Sequence, residues 1–354
     1  MQGKTQPVRV LIVDDSALIR NLLTTILAED PEIEVVGTAS DPFVARDRIK
    51  ALNPDVITLD VEMPKMDGVT FLRKIMSLRP TPVVMVSTLT QAGADVTLEA
   101  LEIGAVDFVA KPTGNIANAM VGLAAELQTK IKMAARTKVR AHHTEAPRPR
   151  PARPRIMNPS AKIVAIGAST GGVEALKVVL MDFVPDGPPI LVTQHMPERF
   201  TAAFARRLDR ECPMRVFEAE NGQRVEPGSV YIAPGSSHLE LARDGTHFVC
   251  RLTGEPPVSG HRPSVDVLFR SAARAAGSRA IGVILTGMGK DGADGLLALR
   301  NAQGVTLGQD EATSLVYGMP RVAFERGAVM RQVPLHEMAS AILDACGFEA
   351  RATV

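Results

Sequence analysis

The sequence predicts two α/β domains, each built on a mostly parallel, doubly wound sheet with covering helices, joined by an irregular linker. Three observations predict this. Short apolar runs rich in β-branched residues alternate with segments of helical apolar spacing and short turns, the pattern of βα units. Between Arg136 and Ser160 that periodicity stops. The apolar runs end in acidic, hydroxyl, basic or glycine-rich residues, as strands do where an α/β sheet carries its chemistry. A chain of 354 residues suits two domains. The expected boundaries are a first domain over 1–133, a linker over 134–160 and a second domain over 161–354.

In the first domain, Val8 to Val13 reads as a strand, and Leu18, Ile19, Leu22, Leu23, Ile26 and Leu27 then recur at helical spacing. Val35-Val36, Val56 to Leu59, Val83 to Val86 and Val106 to Val109 supply four more strands, so five βα units fit. Asp14 and Asp15 end the first strand, Asp60 the third, Ser87-Thr88 the fourth and Lys111-Pro112 the fifth. Three carboxylates in one crevice repel one another, and a divalent cation is the usual compensation. Mg2+ suits hard oxygen ligands and leaves room for a phosphate oxygen. Lys111 and a hydroxyl could bind the remaining oxygens of a phosphoryl group, with Asp60 as the nucleophile that carries it as an acyl phosphate. The alternative is that Asp14 and Asp15 merely cap the next helix, which leaves the lysine and the hydroxyl unexplained.

In the linker, Arg148, Arg150, Arg153 and Arg155 alternate with Pro147, Pro149, Pro151 and Pro154. Proline locks φ and removes a backbone donor, so an extended, semi-rigid spacer is expected. His142-His143 lacks a neighbouring cysteine or carboxylate cluster and reads as exposed linker, not a metal site.

The second domain opens with the strand Ile163 to Ile166, the turn Gly167-Ala168-Ser169-Thr170-Gly171-Gly172 and a helix over Val173 to Leu180. The pattern G-x-S-x-G is that of a nucleophile elbow, although a glycine-rich turn before a helix also cradles phosphate. Pro189 to Thr193 is the next strand and ends in Gln194-His195-Met196, so His195 stands at a strand end as Ser169 does and can serve as its general base. Ala280 to Leu285 is a further buried strand, followed by a glycine-rich turn that presents Asp291. A carboxylate is needed to orient the base. The rival Asp294 falls where Leu296, Leu297 and Leu299 already mark a helix. His261, Arg262 and Asp266 form a polar group for which a substrate contact is conceivable, but helix entry is the simpler reading, with Pro263 in the first turn and Val265, Leu268 and Phe269 buried. Arg243-Asp244-Gly245-Thr246 reads as a hairpin turn flanked by His238 and His247.

Composition bounds the alternatives. Forty basic and thirty-nine acidic residues leave a net charge of +1, so no global field toward nucleic acid or anionic membrane follows. No apolar stretch reaches the roughly 20 residues of a bilayer span, and the polar N-terminus lacks a signal-peptide core, so a cytoplasmic protein without membrane insertion is expected. Cys212, Cys250 and Cys346 are too far apart for a C-x-x-C site and read as packing residues. A nucleotide-binding output is disfavoured by the lack of G-x-G-x-x-G. A DNA-binding output is disfavoured by the near-neutral charge and the βα pattern.

Asp14-Asp15, Asp60-Val61-Glu62-Met63-Pro64-Lys65-Met66-Asp67-Gly68, Ser87-Thr88 and Asp107-Phe108-Val109-Ala110-Lys111-Pro112 together resemble the receiver domain of bacterial response regulators. That resemblance implies a flavodoxin-like fold and Mg2+ held by Asp14, Asp15, Asp60 and the Glu62 backbone carbonyl. It also implies phosphorylation of Asp60 by a histidine kinase, with Ser87, Phe108 and Lys111 as switch residues. With the turns around Ser169, Gln194-His195-Met196-Pro197, His261 to Asp266 and Leu285 to Gly292, nearly the whole chain resembles the CheB protein-glutamate methylesterase family. No motif position departs from its pattern, and the proline–arginine linker is the least family-like segment. By that likeness Ser169, His195 and Asp291 are a catalytic triad, and the Met288 N–H joins that of Thr170, the residue after the nucleophile, in holding the oxyanion. The substrates implied are methyl-accepting chemoreceptors, demethylated at glutamate esters and deamidated at particular glutamines, under control of Asp60 phosphorylation.

Overall fold

The structure, a computed structural model, describes residues 6–88, 90–111, 116–137 and 162–347. The proline–arginine run, His142-His143 and Pro112 lie outside them. The chain divides into two compact units, Met1–Thr144 and Glu145–Val354.

In the first unit the order is β1 (Val8–Val13), α1 (Ala17–Ala28), β2 (Ile33–Ala39), α2 (Pro42–Leu52), β3 (Val56–Asp60), α3 (Gly68–Leu78), β4 (Val83–Ser87), α4 (Gln91–Ile103), β5 (Asp107–Ala110) and α5 (Ile116–Ala134). The strands pair in the order β2-β1-β3-β4-β5, all parallel. Every residue of β3 and β4 is buried, which is why these strands read as continuous apolar runs. Local chemistry starts the helices: the side chains of Ser16, Asp41, Asp67 and Thr90 accept from the first-turn N–H groups of α1 to α4 respectively. Asp14 and Asp15 therefore do not cap α1. The chain order reverses between β1 and β3, and this switch point brings Asp14, Asp15 and Asp60 to one edge.

The second unit contains β6 (Ile163–Ala168), α6 (Gly172–Met181), β7 (Ile190–Gln194), α7 (Glu198–Glu211), β8 (Arg215–Glu218), β9 (Ser229–Ile232), β10 (His238–Asp244), β11 (His247–Thr253) and α8 (Val265–Ala276). It continues through β12 (Ala280–Ile284), α9 (Ala293–Asn301), β13 (Val305–Gln309), α10 (Met319–Glu325), β14 (Arg331–Val333) and α11 (Met338–Ala345). Seven parallel strands run in the order β14-β13-β12-β6-β7-β9-β8, while β10 and β11 form the antiparallel hairpin expected around Gly245. Leu268 and Phe269 of α8 pack with Leu296 and Leu299 of α9 and with Leu239, Leu241 and Cys250 of the hairpin in one core. The three cysteines are free, and burial pushes each thiol up to about 12, in keeping with packing roles. One expectation fails. Pro263 precedes α8 instead of entering its first turn, because Ser264 is the N-cap.

Candidate active site and phosphorylation site

At the first sheet's carboxyl edge, Asp14 and Asp60 are buried and Asp15 is exposed, and one oxygen from each lies within 4.8 Å of the others. Lys111 at the end of β5 reaches both buried carboxylates, its Nζ lying 2.9 Å from Asp14 Oδ2 and 2.8 Å from Asp60 Oδ2. One ammonium cannot balance two buried carboxylates. Burial and the Asp14 charge push the Asp60 carboxyl up to about 6 despite Lys111. Burial would lower the Lys111 ammonium, but the two carboxylates outweigh it and hold it above its usual range. Three hard-oxygen donors around this excess negative charge fit a divalent cation, and Asp15 and Glu62 open onto a cleft through which one could enter.

Of the remaining first-domain residues, Ser87 ends β4 at the same edge, while Phe108 lies earlier in β5, opposite Met85. Ser87 is buried; its hydroxyl accepts from Thr97 Oγ1 at 2.7 Å, and its backbone carbonyl accepts from the Lys111 N–H at 2.7 Å. Phe108 is buried beneath Lys130, whose Nζ lies 5.3 Å from the ring centroid and donates to the Phe108 carbonyl at 2.6 Å.

At the second sheet's carboxyl edge, β6 lies between β12 and β7, at the point where the chain order reverses. Ser169, Asp291 and His195 follow these three strands. Ala168 pairs with Gln194, and the His195 N–H donates to the Ala168 carbonyl at 3.1 Å, so Ser169 and His195 occupy neighbouring positions just past the ladder. Gly171 has φ +76, a left-handed conformation that a side chain disfavours, and this lets the chain turn from Ser169 into α6. The Thr170 carbonyl accepts from Thr286 Oγ1 at 3.0 Å, and the Ser169 N–H donates to the Thr286 carbonyl at 3.0 Å. The Ser169 turn is thereby tied to the end of β12, next to the exposed Met288.

Asp291 and His195 meet. The imidazole Nε2 lies 2.8 Å from Asp291 Oδ2, and Nδ1 is buried without a hydrogen-bond partner. With Nε2–H donating to the carboxylate, the Nδ1 lone pair is left to accept a proton. No hydrogen bond joins the Ser169 hydroxyl to the imidazole among the described residues; such bonds commonly tighten only when substrate is bound. Asp291 also accepts from Ser264 Oγ at 2.8 Å, the Val265 N–H at 2.7 Å and the Asp266 N–H at 3.1 Å. Its carboxylate thus satisfies the orphan donors at the start of α8. Burial would raise the Asp291 carboxyl, but the imidazole and these donors outweigh it and hold it below the usual carboxylate range. The rival Asp294 lies in the first turn of α9 and pairs with Arg326.

Three supporting residues have roles that strand-end chemistry does not identify. Ser264 donates its hydroxyl to Asp291 instead of capping its own helix, while its N–H donates to His238 Nδ1 at 3.1 Å. His261 stacks on His195, with centroids 3.7 Å apart and planes 8° from parallel. Gln194 donates to two backbone carbonyls beside the site. Asp266 Oδ1 accepts from the Gly295 N–H at 2.6 Å and so anchors α9, in line with the helix-entry reading.

Two outcomes follow from the Asp291 environment. Ser264→Ala removes a hydrogen bond to a buried carboxylate and is expected to cost about 2 kcal/mol, measurable by thermal unfolding. Because the folded carboxyl is held low, its contribution is complete above the unfolded value near 3.8 and is lost as pH falls through the folded value. Asp291→Asn is therefore expected to cost about 3 kcal/mol near pH 6, with the gap to wild type narrowing below pH 3.8 in acid-denaturation profiles.

These features define a class: a five-stranded α/β domain with an acidic edge and a lysine, followed by a parallel α/β domain with a hydroxyl, an imidazole and a carboxylate at its switch point. The family described as "CheB methylesterase" matches residues 164–342, and "Response regulator receiver domain" matches residues 10–119. The chain is 59% identical over 338 residues to protein-glutamate methylesterase/protein-glutamine glutaminase 1 of Caulobacter vibrioides, covering 95% of this chain and 97% of that one. It is 53% identical over 346 residues to protein-glutamate methylesterase/protein-glutamine glutaminase 2 of Xanthomonas oryzae pv. oryzae, with the same coverage of each chain. The crystal structure of the Thermotoga maritima CheB methylesterase catalytic domain matches with a TM-score of 0.51 and 38% identity, covering 52% of this chain and 98% of that one. The chain belongs to the CheB methylesterase family.

Proposed function

We propose that this chain hydrolyses glutamate methyl esters on chemoreceptors, releasing methanol, and deamidates particular receptor glutamines, in chemosensory adaptation. The observation that carries the proposed mechanism is the His195–Asp291 pair at 2.8 Å, with an unpartnered Nδ1, one strand from Ser169. The Ser169 hydroxyl attacks the side-chain carbonyl as His195 Nδ1 takes its proton, and Asp291 stabilises the imidazolium. The Thr170 and Met288 N–H groups hold the oxyanion. Methanol departs with the proton from His195, leaving an ester between Ser169 and the receptor side chain. Water attacks this ester with His195 again as base, restoring the serine and yielding the glutamate carboxylate. A glutamine amide follows the same path with ammonia as leaving group.

The first domain supplies control. Asp60 accepts a phosphoryl group from a histidine kinase, and Lys111 with Ser87 engages the phosphoryl oxygens. Asp14, Asp15, Asp60 and the Glu62 carbonyl would hold Mg2+, which would supply positive charge to offset the acidic edge and the incoming oxygens. Phosphorylation shifts a two-state equilibrium toward the active enzyme. Among the described residues no helix is long and apolar enough to cross a membrane; the proposal places the enzyme in the cytoplasm, acting on receptor domains there. The relatives do not favour a nucleotide-binding or DNA-binding output. Chemoreceptor membranes carrying methyl esters and candidate glutamines test the reading. Methanol and ammonia should both appear, with new carboxylates at the corresponding receptor positions. Neither product from any receptor preparation would contradict it.

A further inference from the structure

Gln194 ends β7 and is only 3% exposed. Its Nε2 donates to the Ser169 carbonyl at 2.9 Å and to the His195 carbonyl at 3.2 Å. The orientation of the amide follows from these partners, since a reversed amide would set Oε1 against two carbonyl oxygens. Oε1 is buried and has no hydrogen-bond partner. It lies against the first residue of α6, where a Cβ on Gly172 would fall 2.1 Å from it, so glycine at 172 makes room for this side chain. A buried glutamine that served packing alone would be expected to satisfy both ends. Here the donor end spans two turns from different strands, and the acceptor end goes unpaired.

We propose that Gln194 is a positioning residue whose amide clamps the nucleophile turn to the base turn and sets the spacing of the Ser169 hydroxyl and the His195 imidazole. It touches no reacting atom. The two carbonyls it bridges belong to the residues that must exchange a proton, and a displacement of about 1 Å between reacting groups can cost on the order of 100-fold in rate. The inference rests on the proposed serine mechanism.

The test uses the full chain with Gln194→Met, which keeps length and removes both donors, and Gln194→Glu, which keeps shape. Gln194→Met is expected to lower kcat by about 10- to 100-fold with KM nearly unchanged. Labelling of Ser169 by a fluorophosphonate should slow in proportion, since that reaction needs the hydroxyl and the imidazole but no receptor. For Gln194→Glu, a protonated carboxyl restores one O–H donor and an ionised one repels both carbonyls, so its kcat relative to wild type should rise as pH is lowered. Wild-type kcat and labelling in folded Gln194→Met would overturn the clamp. If that variant fails to fold, a pH profile of Gln194→Glu parallel to wild type would overturn it. Ser169→Ala, run alongside, separates the two ideas: ester hydrolysis by that variant would overturn the serine mechanism and the clamp together. An inactive Ser169→Ala beside a fully active Gln194→Met would overturn the clamp alone.

Discussion

Ser169→Ala is expected to lower methyl-ester hydrolysis by about 10⁴-fold or more, the scale on which loss of a nucleophile collapses a cooperating triad. The substitution removes the proposed nucleophilic hydroxyl, while the backbone bonds shaping the turn, from Ser169 N–H to Thr286 and from Gly172 N–H to Ser169, stay in place. Ser169 is half-buried and its hydroxyl is not joined to the imidazole, so thermal stability should change by no more than about 0.5 kcal/mol, as for substitutions that break no buried bond. Residual hydrolysis should reflect only substrate positioning and the oxyanion donors. Initial rates on methylated receptor, with Asp60 phosphorylation followed in parallel, make the check: the receiver should still take phosphate when the esterase is silent.

Asp60→Asn is the second large effect. It removes the proposed phosphoryl acceptor and one carboxylate of the acidic edge. Stimulation by a small phosphodonor should fall from its wild-type value to none, with basal hydrolysis retained because Ser169, His195 and Asp291 are untouched. Replacing a buried carboxylate already pushed up to about 6 by burial and by Asp14 also relieves repulsion. The variant should therefore be at least as stable as wild type without metal, and should gain less from Mg2+. For comparison, a ligand at ten times its Kd stabilises by about 1.4 kcal/mol. Paired melting curves with and without Mg2+ would read this difference, and a stimulation ratio equal to wild type would refute control through Asp60.

Much of this architecture is legible in the sequence because buried parallel strands are unbroken apolar runs. Val8–Val13 is both the expected and the observed first strand, and β3, β4, β6, β7 and β12 fall within a residue or two of expectation. The same logic exposes candidate chemistry, since a polar residue just past such a run stands at a sheet edge; Asp14, Asp60, Ser169 and His195 announce themselves this way, and Asp291 through the glycine-rich turn after β12. Arg215–Glu218 and Arg331–Val333 do not, because short, partly exposed edge strands carry no continuous apolar signal. Ser264, His261 and Gln194 stand within sequence motifs, Gln194 at a strand end, but what each does there is not legible. Their roles arise from contacts that only the fold creates: a helix cap turned toward a carboxylate 27 residues away, a ring stacked across two loops, and an amide spanning two turns. The order Ser169, His195, Asp291 differs from that of α/β-hydrolases, and β6 lying between β12 and β7 shows how that order still converges at one edge.

The most direct test is methanol release from methylated chemoreceptor membranes by wild type, Ser169→Ala and Asp60→Asn, each with and without Mg2+ and a small phosphodonor. A phosphorylation-gated serine esterase gives donor-stimulated release in wild type, basal release without stimulation in Asp60→Asn, and essentially none in Ser169→Ala. Equal release by Ser169→Ala and wild type, or undiminished stimulation of Asp60→Asn, would contradict it.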